Sequence, residues 1–274
     1  MPSPTIRTVQ AGPVSIAIAD CGQGPPILFV HGFALDHTMW DAQLAALSGR
    51  WRTIAVDLRG AGGSEVTVGT VTMEQMADDL AAFLDALAIT EPIVYCGLSM
   101  GGYVAFQFLR KYPHRLRGLV LCDTRAVADT SEEAAARLTL ADQVAHHEDM
   151  TAAADALMPR IFAAATIERH PKLVHAMREV MLAAPCEGIA AAARGMAQRP
   201  DVRPELSGIR VATLVMVGQE DIISPPDEMR ALAAAIPGSE FVVIPNAGHM
   251  SPLENPGAFN AALERFLDRV GRKG

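Results

Sequence analysis

The sequence predicts an α/β protein built on a mostly parallel sheet, and three observations carry that prediction. Short runs rich in Val, Ile and Leu recur along the chain: "PPILFVHG", "WRTIAVDLRG", "EPIVYCGLS", "RLRGLVLCD", "VATLVMVG" and "SEFVVIPN". Runs this apolar suit strands covered on both faces. Longer segments of helical period separate them. The clearest, "TMEQMADDLAAFLDALAI", sets Met73, Met76, Leu80, Phe83, Leu84 and Leu87 on one stripe, as a helix packed on a sheet requires. The rhythm then stops once. From Thr124 to about Arg203 no strand pattern occurs, and Ala, Met and helical spacing dominate. A structureless loop of roughly 80 residues does not suit a compact domain, so residues 124–203 are expected to form a helical cap inserted into a core made of 1–123 and 204–274. The insertion leaves the sheet at the carboxyl end of a strand, where open α/β sheets bind ligands, and this suits a lid.

Composition narrows the class. With 274 residues, half of them hydrophobic and 20% charged, the chain can bury one large core. The net charge of −8 comes without a basic cluster, which argues against nucleic acid or an anionic membrane as partner. The start, "MPSPTIRTVQ", lacks a charged segment followed by an apolar one, and no apolar run approaches the ~18 residues of a membrane span. A cytoplasmic location is the expectation. Cys21, Cys96, Cys122 and Cys186 show no CxxC or CxxH spacing and are expected to be free thiols.

The chemistry centres on "CGLSMGGY". An apolar strand enters Ser99 and a helical segment leaves it, so Gly-x-Ser-x-Gly here means a sharp strand-turn-helix that pushes a hydroxyl outward. Side chains at Gly97 or Gly101 would collide with the neighbouring strand or helix. A serine hydroxyl is a poor nucleophile at neutral pH and needs a histidine base oriented by a carboxylate. His249, in "PNAGHMSPLENP", follows the last apolar run among turn-forming residues. His114, His146, His147, His170 and His175 lie in helical or charged segments, where a solvated position is expected. For the carboxylate, "LVMVGQEDIISPP" delivers Glu220 and Asp221 to the sheet edge in the order Ser, Asp, His; Asp221 is preferred, and Asp123, at the end of the preceding strand, competes. Asp57 fits a brace for "DLRGAGGS". Attack on a carbonyl builds charge on oxygen, and the N–H groups of Met100 and of Phe33 in "HGFALD" are the candidate donors to it. No Walker loop, GxGxxG or HExxH is present, so the expected cofactor is none.

Taken together, "VHGFALD", "DLRGAGGS", "GLSMGG", "GQEDIISPP" and "NAGHMSPLENP" resemble the α/β-hydrolase superfamily over nearly the whole chain outside the insertion. The resemblance implies an eight-stranded sheet with a helical cap, Ser99 as nucleophile, Asp221 and His249 completing a triad, and Phe33 and Met100 as oxyanion donors. Serine at the nucleophile position sets the chain apart from haloalkane dehalogenases and epoxide hydrolases, which look similar but use a carboxylate there. The chain looks most like small carboxylesterases, 3-oxoadipate enol-lactonases and cofactor-free haloperoxidase-like esterases, which implies a small ester or lactone as substrate. Carbon–carbon bond hydrolases and ligand receptors share the frame. The lactonase reading requires a cation for a substrate carboxylate, and Arg125, just past a strand end, is the residue sited for it. The cap methionines Met150, Met158, Met177, Met181 and Met196 are expected to contribute to an apolar cavity.

Overall fold

The structure is a computed structural model and describes residues 3–271. The chain opens with a hairpin, β1 (Thr5–Ala11) and β2 (Val14–Cys21), followed by β3 (Pro26–Val30). Then come α1 (Asp41–Leu47), β4 (Arg52–Val56), α2 (Met73–Ala86), β5 (Ile93–Leu98), α3 (Met100–Lys111) and β6 (Leu116–Cys122). Five helices interrupt the alternation: α4 (Ser131–His147), α5 (Thr151–Ile161), α6 (Ala164–Arg169), α7 (Pro171–Ala183) and α8 (Cys186–Ala197). The chain then completes the sheet with β7 (Ala212–Gly218), α9 (Pro226–Ala235) and β8 (Glu240–Ile244), and ends in α10 (Ser251–Glu254) and α11 (Pro256–Gly271).

The eight strands form one sheet in the order β1-β2-β4-β3-β5-β6-β7-β8. The pairs β1–β2 and β2–β4 are antiparallel and the rest parallel. Period-two alternation explains the continuous apolar runs. In β3, Ile27 and Phe29 enter the layer formed with α1 and α11, whereas Leu28 and Val30 enter the layer formed with α2, α3 and α9. A strand covered on both faces, such as β3, therefore needs apolar residues at every position. Trp40 shows the packing: its ring lies 5.1 Å from that of Phe29 and 6.1 Å from that of Phe259 of α11.

The helix expected around residues 72–89 is α2. Thr72 caps it by accepting the Gln75 N–H, and Met73, Met76, Leu80, Phe83 and Leu84 are buried while Leu87 is partly so. Small residues seat the inserted helices on the core. Gly188 of α8 packs against the backbone of Gly60 and Gly195 against the carbonyl of Val71, and the Val71 N–H donates to the Ala191 carbonyl at 3.1 Å. Side chains at those glycines would hold α8 off the core. Among the described residues no helix is long and apolar enough to cross a membrane. No disulfide joins the four cysteines; the sulfurs of Cys96 and Cys122, on neighbouring strands, are 3.8 Å apart.

Candidate active site

From β3 the chain moves to β4 on one side of it and then to β5 on the other. Connections leaving in opposite directions open a crevice at the carboxyl ends of β3 and β5, where this class of sheet binds ligands. The two glycine-bearing motifs border that crevice.

Ser99 links β5 to α3 with φ 53° and ψ −113°, a conformation that costs a residue with a side chain about 1–3 kcal/mol. Hydrogen bonds hold it there. The Ser99 N–H donates to the Cys122 carbonyl at 2.9 Å, and Thr124 Oγ1 donates to the Ser99 carbonyl at 2.8 Å. A Cβ on Gly97 would strike the Gly101 carbonyl, and one on Gly101 the Val30 carbonyl at the end of β3. The glycines thus let α3 start hard against the sheet.

Asp221 sits in the turn after β7 and His249 in the loop after β8; both are buried. His249 Nδ1 lies 2.9 Å from Asp221 Oδ2 and, as the donor, leaves Nε2 unprotonated in the neutral ring. Ser224 Oγ donates to the same carboxylate oxygen at 2.6 Å, while Oδ1 accepts the N–H groups of Ile223 (2.8 Å) and Ser224 (3.1 Å). Burial alone would raise the Asp221 carboxyl, but the His249 charge and the hydrogen bonds from His249 and Ser224 outweigh it and hold the group below the ordinary carboxylate range.

Ser99 and His249 line one cavity of about 130 Å³, together with Gly32, Phe33, Leu35, Leu98 and Tyr103 from the core. Met100 is the first residue of α3, so its N–H has no partner within the helix. The loop that carries Phe33 is braced by His31. This buried ring accepts the Leu58 N–H on Nε2 at 2.9 Å and donates from Nδ1 to the Gly32 carbonyl at 2.7 Å. Burial pushes its pKa down, and because the Leu58 N–H occupies the Nε2 lone pair, His31 cannot double as a second base.

The competing carboxylates are placed elsewhere. Asp123 is wholly buried; its Oδ1 accepts the Gly218 N–H at 2.7 Å and its Oδ2 the hydroxyl of Ser251, so it ties the end of β6 to the end of β7 and the start of α10. Burial and the neighbouring Asp221 push its pKa well up. Glu220 is exposed. Asp57 braces its loop, accepting the His37 N–H at 2.7 Å and the Gly63 N–H at 2.8 Å. His114, His146, His147, His170 and His175 are all exposed.

Arg125 requires a correction. It stands outside the cavity, donating from Nε to Glu228 and from Nη1 to Glu133, each at 2.9 Å. Two carboxylates neutralise it. The cations that line the cavity are Arg137 of α4 and Arg160 of α5. Of the methionines, Met181 and Met196 reach the cavity, whereas Met150, Met158 and Met177 pack into the apolar layer beneath the inserted helices. Sequence reasoning also passed over His31, Ser224 and Glu254. Ser224 and Glu254 stand three and five residues beyond Asp221 and His249, within reach of a search for hydrogen-bonding side chains near those two. No such signal marks the arginines, because the helical register of the insertion decides which of its many arginines face inward.

A hydroxyl and an imidazole in one cavity, with the imidazole backed by a buried carboxylate, can carry out acyl transfer. Residues 25–256 match the family model described as the alpha/beta hydrolase fold. The chain is 29% identical to 3-oxoadipate enol-lactonase 2 of Acinetobacter baylyi, with 96% of each chain covered. Among solved structures, it is 48% identical to a thermophilic esterase from Thermogutta terrifontis with malate bound, covering 98% of this chain and 99% of that one at a TM-score of 0.93. It is 32% identical to the enol-lactonase of Burkholderia xenovorans, with coverage of 96% and 100% and a TM-score of 0.89. Family model, relatives and eight-stranded sheet agree: the chain belongs to the α/β-hydrolase fold family.

Proposed function

We propose that the protein hydrolyses small carboxylic esters through an acyl-enzyme on Ser99, with His249 as general base and Asp221 as its orienting carboxylate. The observation that carries the reading is the 2.9 Å contact of His249 Nδ1 with Asp221 beside a cavity shared by His249 and Ser99. Nε2 accepts the Ser99 proton as Oγ bonds to the ester carbon. The carbonyl oxygen takes up the negative charge and receives hydrogen bonds from the N–H groups of Phe33 and Met100. Collapse of the tetrahedral adduct breaks the bond to the alcohol, which leaves with the proton from His249. Water, deprotonated by His249, then cleaves the acyl-enzyme and restores Ser99.

Cavity size favours short acyl groups. About 130 Å³ walled by Leu35, Leu98, Leu157, Ile161 and Met181 rewards apolar burial of a few carbons and leaves no room for a long chain. With p-nitrophenyl esters, kcat/KM should be highest from acetyl to hexanoyl and fall beyond. Equal turnover of decanoyl esters would contradict this reading of the cavity. A second reading, lactone opening, uses the same machinery, since a lactone is an ester whose alcohol stays tethered. The enol-lactonases among the relatives favour it. A parallel lactone panel separates the two.

A further inference from the structure

Charge inside the cavity runs against the charge of the molecule. The chain carries a net −8, a field that disfavours anionic ligands, yet the cavity lining holds two guanidinium groups and, among the described residues, no carboxylate. Their surroundings show that this charge is not cancelled within the protein. Arg160 has no hydrogen-bonding or ion-pair partner among the described residues. Arg137 is held from behind by Asp129, through Nε at 2.5 Å, and Asp129 also pairs with Arg199. The Asp129 and Arg199 side chains are only 1% and 3% exposed, whereas Arg137 is 26% exposed. Two cations therefore face one buried anion, and the surplus lies with the arginine on the cavity side. Arg125 shows how the same fold treats an arginine that serves structure: two carboxylates close on it.

We propose that Arg137 and Arg160 form a carboxylate-binding subsite, and that the substrates are small esters bearing a free carboxylate, foremost the hemiesters of short dicarboxylic acids. The inference rests on the reading of Ser99 as the nucleophile of ester hydrolysis. Guanidinium forks recognise carboxylates through paired, charge-assisted hydrogen bonds, and Arg137 is preset by Asp129 so that little rotamer freedom remains to be lost on binding. Arg160, exposed and unpaired, is the arm free to close on the anion. The small volume limits the acid to a few carbons. The cavity's apolar walls can accept the methylenes between the two carbonyl groups.

The test compares kcat/KM for monoethyl succinate with that for ethyl levulinate, a neutral ester of nearly the same shape, by following ethanol release. O-acetylglycolate against ethyl acetate, both followed by acetate release, repeats the comparison with the carboxylate on the alcohol side. Wild type should prefer the anion in at least one pair, and added salt should reduce the preference. Arg160→Gln should lower the anion-to-neutral ratio by about 10- to 100-fold, the range for a lost charge-assisted contact. Arg160→Glu should lower it further. Among the described residues Arg160 has no hydrogen-bonding or ion-pair partner, so neither variant breaks such a contact. Titration calorimetry with succinate, without turnover, should show weaker binding to both variants. A wild-type ratio at or below one in both pairs, or a ratio and succinate affinity unmoved by Arg160→Gln, overturns the subsite. Absence of turnover of every ester, neutral and anionic alike, with succinate binding intact would instead strike the hydrolase reading.

Discussion

Ser99 shows how one residue can be held where its own chemistry disfavours it. At φ 53° and ψ −113° the side chain is the source of strain, and neighbours hold it in place through the Cys122 carbonyl and the Thr124 hydroxyl. Ser99→Ala keeps a Cβ in that conformation and Ser99→Gly does not. Both variants should lose ester hydrolysis by about 10⁴- to 10⁶-fold in kcat. Only the glycine variant is relieved of strain, so it should unfold at higher urea than the alanine variant, with a difference of roughly 1 kcal/mol. Equal midpoints would show that the turn is not strained, and retained turnover in either folded variant would remove Ser99 from the mechanism. Much of this was legible beforehand. Steric need fixes glycine at 97 and 101, and a turn this tight admits few other patterns. His249 and Asp221 were legible for a related reason: each follows an apolar run by a few residues, which places it at the same sheet edge. Arg137 and Arg160 were not, since nothing in a helical period says which side of an inserted helix meets the cavity.

Among the elements, the short helix α10 joins the histidine loop to the inserted helices. Its last residue, Glu254, accepts the N–H groups on either side of His249, from Gly248 at 2.8 Å and Met250 at 3.2 Å, on Oε1. Its other oxygen accepts the Ala163 N–H at 2.8 Å and the Thr166 hydroxyl at 2.6 Å, both from the α5–α6 junction. Four donors meet one carboxylate. An amide offers only one accepting oxygen, so Glu254→Gln should turn an N–H2 toward two of the donors, lowering kcat by about 10- to 100-fold as His249 loses its position. Thr166→Val removes one donor on the inserted side alone and should do less. Combined, the two should cost less than the product of the single effects, because they share one contact. Independent, multiplying effects would mean that the helices and the histidine loop are not coupled through Glu254. Elements differed in legibility for physical reasons. The six strands from β3 to β8 announced themselves as apolar runs, and α2 declared its stripe. The residues did not declare the hairpin of β1 and β2: the first four positions of β1 are exposed and serve to pair with β2, and Ser15 and Asp20 interrupt the apolar run of β2. The five inserted helices were legible as helix but not one by one, because alanine-rich sequence stays helical across several breaks.

At the scale of the whole molecule, Asp123 poses the largest electrostatic problem that the fold must solve. The residue is wholly buried, touches Ser251 and the Gly218 N–H, and faces Asp221 across the ends of β6 and β7. Burial first, and the Asp221 charge second, raise its pKa well above the ordinary 3.8. The sign of the consequence follows from proton linkage. Above about pH 3.8 the unfolded chain releases this proton while the folded protein keeps it, so Asp123's contribution to stability is full below that pH and shrinks as pH rises toward the folded value. Asparagine has the same shape, does not titrate, and can still accept from Gly218 while donating to Ser251 Oγ. Asp123→Asn should therefore gain stability relative to wild type as pH rises, by up to about 1.4 kcal/mol for each pH unit across the window. Urea unfolding of both proteins at about pH 4.5 and about pH 7 measures the gain. The same variant separates the two carboxylates at the sheet edge. If Asp221 orients His249 and Asp123 only joins strand ends, Asp123→Asn keeps most ester hydrolysis, whereas Asp221→Asn loses about 10⁴-fold through the wrong imidazole tautomer. A stability difference that does not change with pH would mean that Asp123 is ionised in the fold, and the reverse ranking of activities would move the triad's carboxylate from β7 to β6.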